Sequence, residues 1–105
     1  MPMRLGEREA REAYEYYKEL DPGFDKPNDI ALLVIYVLQK KMGFSVVQWG
    51  MVLDVDTIAG WELWRTHGAT NSLYKQGYLE NRTQKNLWQI TNKGIAYLRE
   101  QGVAI

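Results

Sequence analysis

The chain has 105 residues, of which 46% are apolar and 25% charged, the proportions of one ordinary globular domain and not of a disordered or collagen-like chain. Thirteen basic and thirteen acidic residues give a formal net charge of zero. There is no cysteine, which excludes disulfide frameworks, thiolate metal sites, iron–sulfur clusters and cysteine nucleophiles.

The first residues, MPMRLGEREAREAY, are too charged for a signal peptide. The longest apolar run is Ile30 to Leu38, about half of what spans a bilayer. The expectation is a soluble cytoplasmic protein with no membrane partner.

Residues 5–20 have helix-forming composition. Ala10, Ala13, Tyr14, Tyr17 and Leu20 recur at three- and four-residue steps and make one apolar face. The other face carries opposite charges four apart, as in Glu7–Arg11. Asp21-Pro22-Gly23 stops this helix, and residues 21–27 read as a linker.

A second helix is expected over 28–42. Asn28-Asp29 supplies an N-cap and a negative first turn. Lys40-Lys41 places positive charge in the last turn before the stop at Gly43. Its middle, IALLVIYVL, is apolar on every side, which marks a central helix.

Residues 45–53 are ambiguous. Ser45 with Gln48 makes a capping box for a short helix, while Val46-Val47 equally suits a stub of strand. Asp54 and Asp56 offer further N-caps. A helical stretch then runs to Gly77, either whole or broken near His67-Gly68. Residues 78–91 read as a β-hairpin with a polar loop, Asn81 to Asn86. Residues 92–101 return to helix between an N-cap at Thr91 and a stop at Gly102.

The neutral total hides a polarity. Residues 1–62 hold seven basic and eleven acidic side chains, whereas 63–105 hold six basic and two acidic. That asymmetry suggests a face for an anionic partner in the C-terminal part.

Two phrases carry the most information: Leu73-Tyr74-Lys75-Gln76-Gly77-Tyr78-Leu79-Glu80, and Leu87-Trp88-Gln89-Ile90-Thr91-Asn92-Lys93-Gly94. A leucine four residues before a glycine, an apolar pair with an acidic residue, and an apolar-Thr-x-x-Gly ending resemble the winged helix-turn-helix family of DNA-binding proteins. The resemblance spans about residues 28–101. It implies an α+β fold: a winged helix-turn-helix with a helical core, a C-terminal two-stranded β-hairpin wing and an extra N-terminal helix. Residues 1–27 would then form an N-terminal helix and linker, a dimerisation arm, and 28–105 the winged-helix domain.

The resemblance further implies a sequence-specific double-stranded DNA-binding protein, a homodimeric transcriptional regulator. Its recognition helix, near 66–76, enters the major groove, and its wing, 82–86, lies on the backbone. With Ala69 and Leu73 inward, Thr66, His67, Thr70, Asn71 and Tyr74 lie nearer the outside. Asn71 suits adenine, and Arg65 and Lys75 suit phosphates. Arg82 and Lys85 sit in a loop with no apolar residue, so they project as a cationic finger. The alternative is a winged-helix protein–protein interaction module without DNA binding.

Nothing in the chain pairs a nucleophile with a base or builds a phosphate loop, so no enzyme and no cofactor are expected. The single histidine, His67, has no companion at metal-ligand spacing, so no metal site is expected. The four tryptophans, Trp49, Trp61, Trp64 and Trp88, read as core, the alternative being the lining of a ligand pocket.

Overall fold

The computed structural model describes residues 3–66, 68–81 and 86–105. The described residues form five α-helices: α1 (Glu7–Leu20), α2 (Pro27–Tyr36), α3 (Trp49–Ala59), α4 (Ala69–Lys75) and α5 (Asn92–Glu100). An antiparallel hairpin, β1 (Leu79–Asn81) and β2 (Trp88–Ile90), lies between α4 and α5, in the register Leu79–Ile90, Glu80–Gln89 and Asn81–Trp88. The fold is therefore α+β. Among the described residues no helix is long and apolar enough to cross a membrane.

Helix α2 is the axis of the core. Ala31, Leu32, Leu33, Ile35, Val37 and Leu38 are wholly buried. The four other helices and β2 all pack around it. This explains the unbroken apolar run, since a helix surrounded by partners has no solvent face to mark with charge.

The start of α2 differs from expectation. Asn28 is not the cap; Lys26 is, and Pro27 takes the first helical position. Proline suits that position because it has no N–H to leave unpaired and its φ is already helical. Asp29 instead lies in the first turn, where its buried carboxylate accepts a hydrogen bond from the Tyr97 hydroxyl at 2.6 Å. That bond ties α2 to α5. It also holds the Tyr97 phenol up to about 12, with burial adding to the effect.

At its other end α2 widens into a π-helical turn, Val37–Lys41, closed by Met42 N–H donating to the Val37 carbonyl. Gly43 follows at φ 81°, the left-handed stop expected there. The turn presents Gln39, whose amide bridges two segments. Its Nε2 donates to the Ser45 carbonyl, and its Oε1 accepts from Ile90 N–H at 2.6 Å.

Helix α1 belongs to the same core. Ala10, Ala13 and Tyr17 are buried against α3 and the π-turn. Tyr14 and Tyr17 both meet the Trp61 ring, at 5.5 and 4.6 Å between centroids. The segment 1–27, expected as an arm, thus places its apolar face within its own chain. Its outer face carries the ion pairs Glu7–Arg11 and Glu15–Lys18, each at 2.9 Å. The Tyr17 hydroxyl is buried with no hydrogen-bond partner among the described residues, and burial pushes its ionisation well above the ordinary tyrosine range.

Residues 45–60 resolve the ambiguity in favour of both readings. Val47 makes an isolated antiparallel bridge with Trp88, donating and accepting at 2.9 Å, so a third short segment borders the hairpin. Helix α3 starts two residues later with Gln48, not Ser45, as its cap. The Ser45 carbonyl is held instead by the amides of Gln39 and Gln89. Asp54 and Asp56 are not caps, because both lie inside α3. Asp54 takes hydrogen bonds from the Arg4 guanidinium and from Leu5 N–H, which fastens the N-terminal segment to α3. Burial raises its carboxyl, but these bonds and Arg4's charge outweigh that and hold it below the usual carboxylate range.

Candidate nucleic-acid interface

The stretch from α3 to β1 breaks twice, not once. Gly60 ends α3 at φ 74°, and Glu62, a non-glycine at φ 60°, opens a 3-10 turn over Leu63–Arg65. The turn is pinned from below. Leu63 is buried, and its N–H donates to the buried Asp56 carboxylate at 3.1 Å. Thr66 N–H then closes on the Leu63 carbonyl. Gly68, at φ 82°, caps α4. The expected helix over 66–76 is thus shorter, seven residues from Ala69 to Lys75. At 1.5 Å per residue it is about 10 Å long.

Within α4 the expected orientation holds. Ala69 and Leu73 are buried, while Asn71, Tyr74 and Lys75 are exposed and Thr70 is half-buried. Gly77, at φ 83°, then turns the chain into β1. The phrase from Ile90 to Gly94 secures this corner. The Thr91 hydroxyl donates to the Gly77 carbonyl at 2.6 Å and accepts from Gly94 N–H at 3.0 Å. Thr91 N–H donates to the Tyr78 carbonyl. A Cβ on Gly94 would lie 2.4 Å from that same carbonyl oxygen, so only glycine fits where α5 crosses the corner. Tyr78 and Tyr97 stack at 4.5 Å beside it.

An open groove of about 420 Å³ lies between the start of α3, the start of α4 and β2. Its polar rim comes from Gln48, Thr66, Thr70, Asn71 and Asn86, and its aromatic walls from Trp49, Trp64 and Trp88. Among its described lining residues none carries an ionisable side chain. Trp64 is 56% exposed, and the Arg65 guanidinium lies 4.9 Å over its ring. Arg65 also pairs with Glu62 at 3.5 Å. Tyr74, 51% exposed, leans on Trp88 at 5.9 Å.

Of the residues singled out in the sequence, Thr66, Thr70 and Asn71 come together in this groove. Arg65 stands beside it against Trp64, while Tyr74 and Lys75 lie further along the exposed side of α4. His67, Arg82 and Lys85 lie outside the described residues. Sequence reasoning missed Gln48 and Asn86 as groove residues, and it named Trp49, Trp64 and Trp88 only under the alternative of a tryptophan-lined pocket. The reading of the tryptophans as core holds for Trp88, which is 4% exposed yet still borders the groove. It fails for Trp64, which is 56% exposed in the 3-10 turn Leu63–Arg65. Among the described residues no cluster of three potential metal ligands occurs.

Comparison with protein-family models, curated proteins and solved structures finds no match for this chain.

Proposed function

We propose that the chain is a winged helix-turn-helix protein that binds double-stranded DNA and acts as a homodimeric transcriptional regulator. In this reading α2, α3 and α4 are the three core helices, α4 is the recognition helix, and the hairpin is the wing. One observation carries the reading. Helix α4 turns amide, phenol and ammonium groups outward at Asn71, Tyr74 and Lys75, directly before a hairpin whose connecting sequence holds Arg82 and Lys85. Asparagine pairs with an adenine edge, and the cations suit phosphate oxygens. The surplus of basic over acidic residues after position 62 supports the same partner.

A homodimer would set two α4 helices at half-sites about 34–36 Å apart. Because the apolar face of α1 is spent inside the chain, such a dimer through residues 5–20 would meet through its charged outer face. Sedimentation at several salt concentrations reads this directly, since charge–charge association weakens as salt rises.

The exposed rings of Trp64 and Tyr74 favour a second reading, a protein-docking module. Salt separates the two. Fluorescence anisotropy of a labelled random-sequence duplex, titrated at several salt concentrations, should show affinity falling steeply with salt. The Arg82→Ala/Lys85→Ala variant should bind more weakly with a flatter slope, because removing one phosphate-binding cation reduces the slope by about 1. No binding at low salt would reject DNA and leave the docking module.

A further inference from the structure

We infer that the groove beside α4 receives a single unstacked nucleobase, so that the preferred nucleic acid is one carrying a base outside the helical stack. The inference rests on the nucleic-acid reading above and names the form of DNA that the site takes.

Three observations converge on it. First, the described lining chemistry suits a base. The described walls are indole rings and the described rim is amide and hydroxyl, with no ionisable side chain among the described lining residues. A planar, uncharged ring with donors and acceptors on its edge is the ligand such a lining satisfies. At about 420 Å³ the groove is within the range of small-molecule sites.

Second, Trp64 is held out in solvent by a built turn. Tryptophan is highly buried on average. Here it is 56% exposed, although its neighbour Leu63 is buried and fixed to Asp56. Glu62 adopts a left-handed conformation to start that turn, a strain that non-glycine residues rarely carry and that clusters at binding sites. Arg65 lies over the Trp64 ring, giving a planar cation next to the platform on which a base would stack.

Third, α4 is only seven residues long. Two turns of helix offer few side chains to base edges in an intact duplex. A base docked against Trp64 within reach of Asn71 and Thr70 would add recognition that the short helix lacks.

The test compares three probes of one sequence, each labelled at an end: a perfect duplex, the same duplex with a single-base bulge, and the bulged strand alone. The full chain is compared with Trp64→Ala and Trp64→Phe, each checked for an unchanged thermal melt. Removing an aromatic platform weakens binding about 5- to 150-fold per stacked base. The expected result is tighter binding to the bulged duplex than to the perfect one. Trp64→Ala should lose that preference by about tenfold or more, while Trp64→Phe keeps most of it. The bulged probe should also quench indole emission in the wild type by an amount that Trp64→Phe lacks. Equal or tighter binding of the single strand, with the same dependence on Trp64, supports the base site and identifies single-stranded DNA as its source. Equal affinity for perfect and bulged duplexes, with Trp64→Ala silent, overturns the base site and leaves duplex binding standing. No binding to any probe removes the nucleic-acid reading itself, and the base site with it.

Discussion

Helix α2 and the segment from Gly60 to Gly77 are near neighbours in the fold and opposites in design. Around α2 every apolar side chain from Ile30 to Leu38 except Tyr36 is buried, and backbone geometry is helical throughout, widened only at the π-turn. Between Gly60 and Gly77 the chain adopts left-handed geometry at four described residues and leaves Trp64 and Tyr74 in solvent. The first region maximises burial. The second holds large rings and polar groups outward on short, pinned elements. The contrast teaches that the exposure at the groove is built by the frame beneath it: Leu63 and Leu73 are each 1% exposed and anchor the two elements that display it.

Mutation should separate the two regions sharply. Leu33→Ala opens a cavity at a wholly buried position of α2 and should cost about 2–5 kcal/mol, seen as a lower urea midpoint. Gly94→Ala should follow at about 1–3 kcal/mol, since its Cβ meets backbone that cannot swing aside. Both variants should lose nucleic-acid binding only in proportion to the folded fraction. Trp64→Ala should do the reverse, changing stability by less than about 0.5 kcal/mol while altering binding.

A smaller effect sharpens the frame side. Tyr97 ionises near 12 in the folded chain against an ordinary value of 10.0. Its folded value is raised, so its contribution to stability is whole below about pH 10 and is lost as pH climbs through about 12. Tyr17, raised mainly by burial, acts in the same direction. Urea unfolding should therefore show stability falling across that window. Tyr97→Phe should make the fall shallower without abolishing it. A Tyr97→Phe slope identical to the wild type would dissociate the Asp29 bond from folding.

Legibility in the sequence follows the same division. The buried stripe of α1, the central helix, the stop at Gly77, the hairpin and the Thr91 cap are readable, because burial periodicity and capping chemistry are local. The corner at Gly94 is visible as a phrase, but its cause, the Tyr78 carbonyl 2.4 Å from the missing Cβ, belongs to a distant part of the sequence. Asp54 and Asp56 mislead for a related reason. An aspartate before a helical run suggests a cap, yet here one binds Arg4 from the N-terminal segment and the other holds the 3-10 turn beyond the end of the helix. The groove is the least legible part. Thr70 and Asn71 can be placed from the inward phase of Ala69 and Leu73, whereas Thr66 precedes the break at Gly68 and follows the 3-10 turn. Gln48 and Trp49 approach from the start of another helix, a proximity that no local pattern encodes.

The central claim is that one region is the frame and the other the nucleic-acid face. Backbone amide chemical shifts of the full chain, followed by NMR during titration with a bulged DNA duplex, test it most directly. The account predicts shifts concentrated at Gln48, Gly68, Thr70, Asn71 and the Trp64 indole, with the amides of α1 and the interior of α2 unmoved. Shifts centred on α1, or none anywhere at low salt, would contradict it.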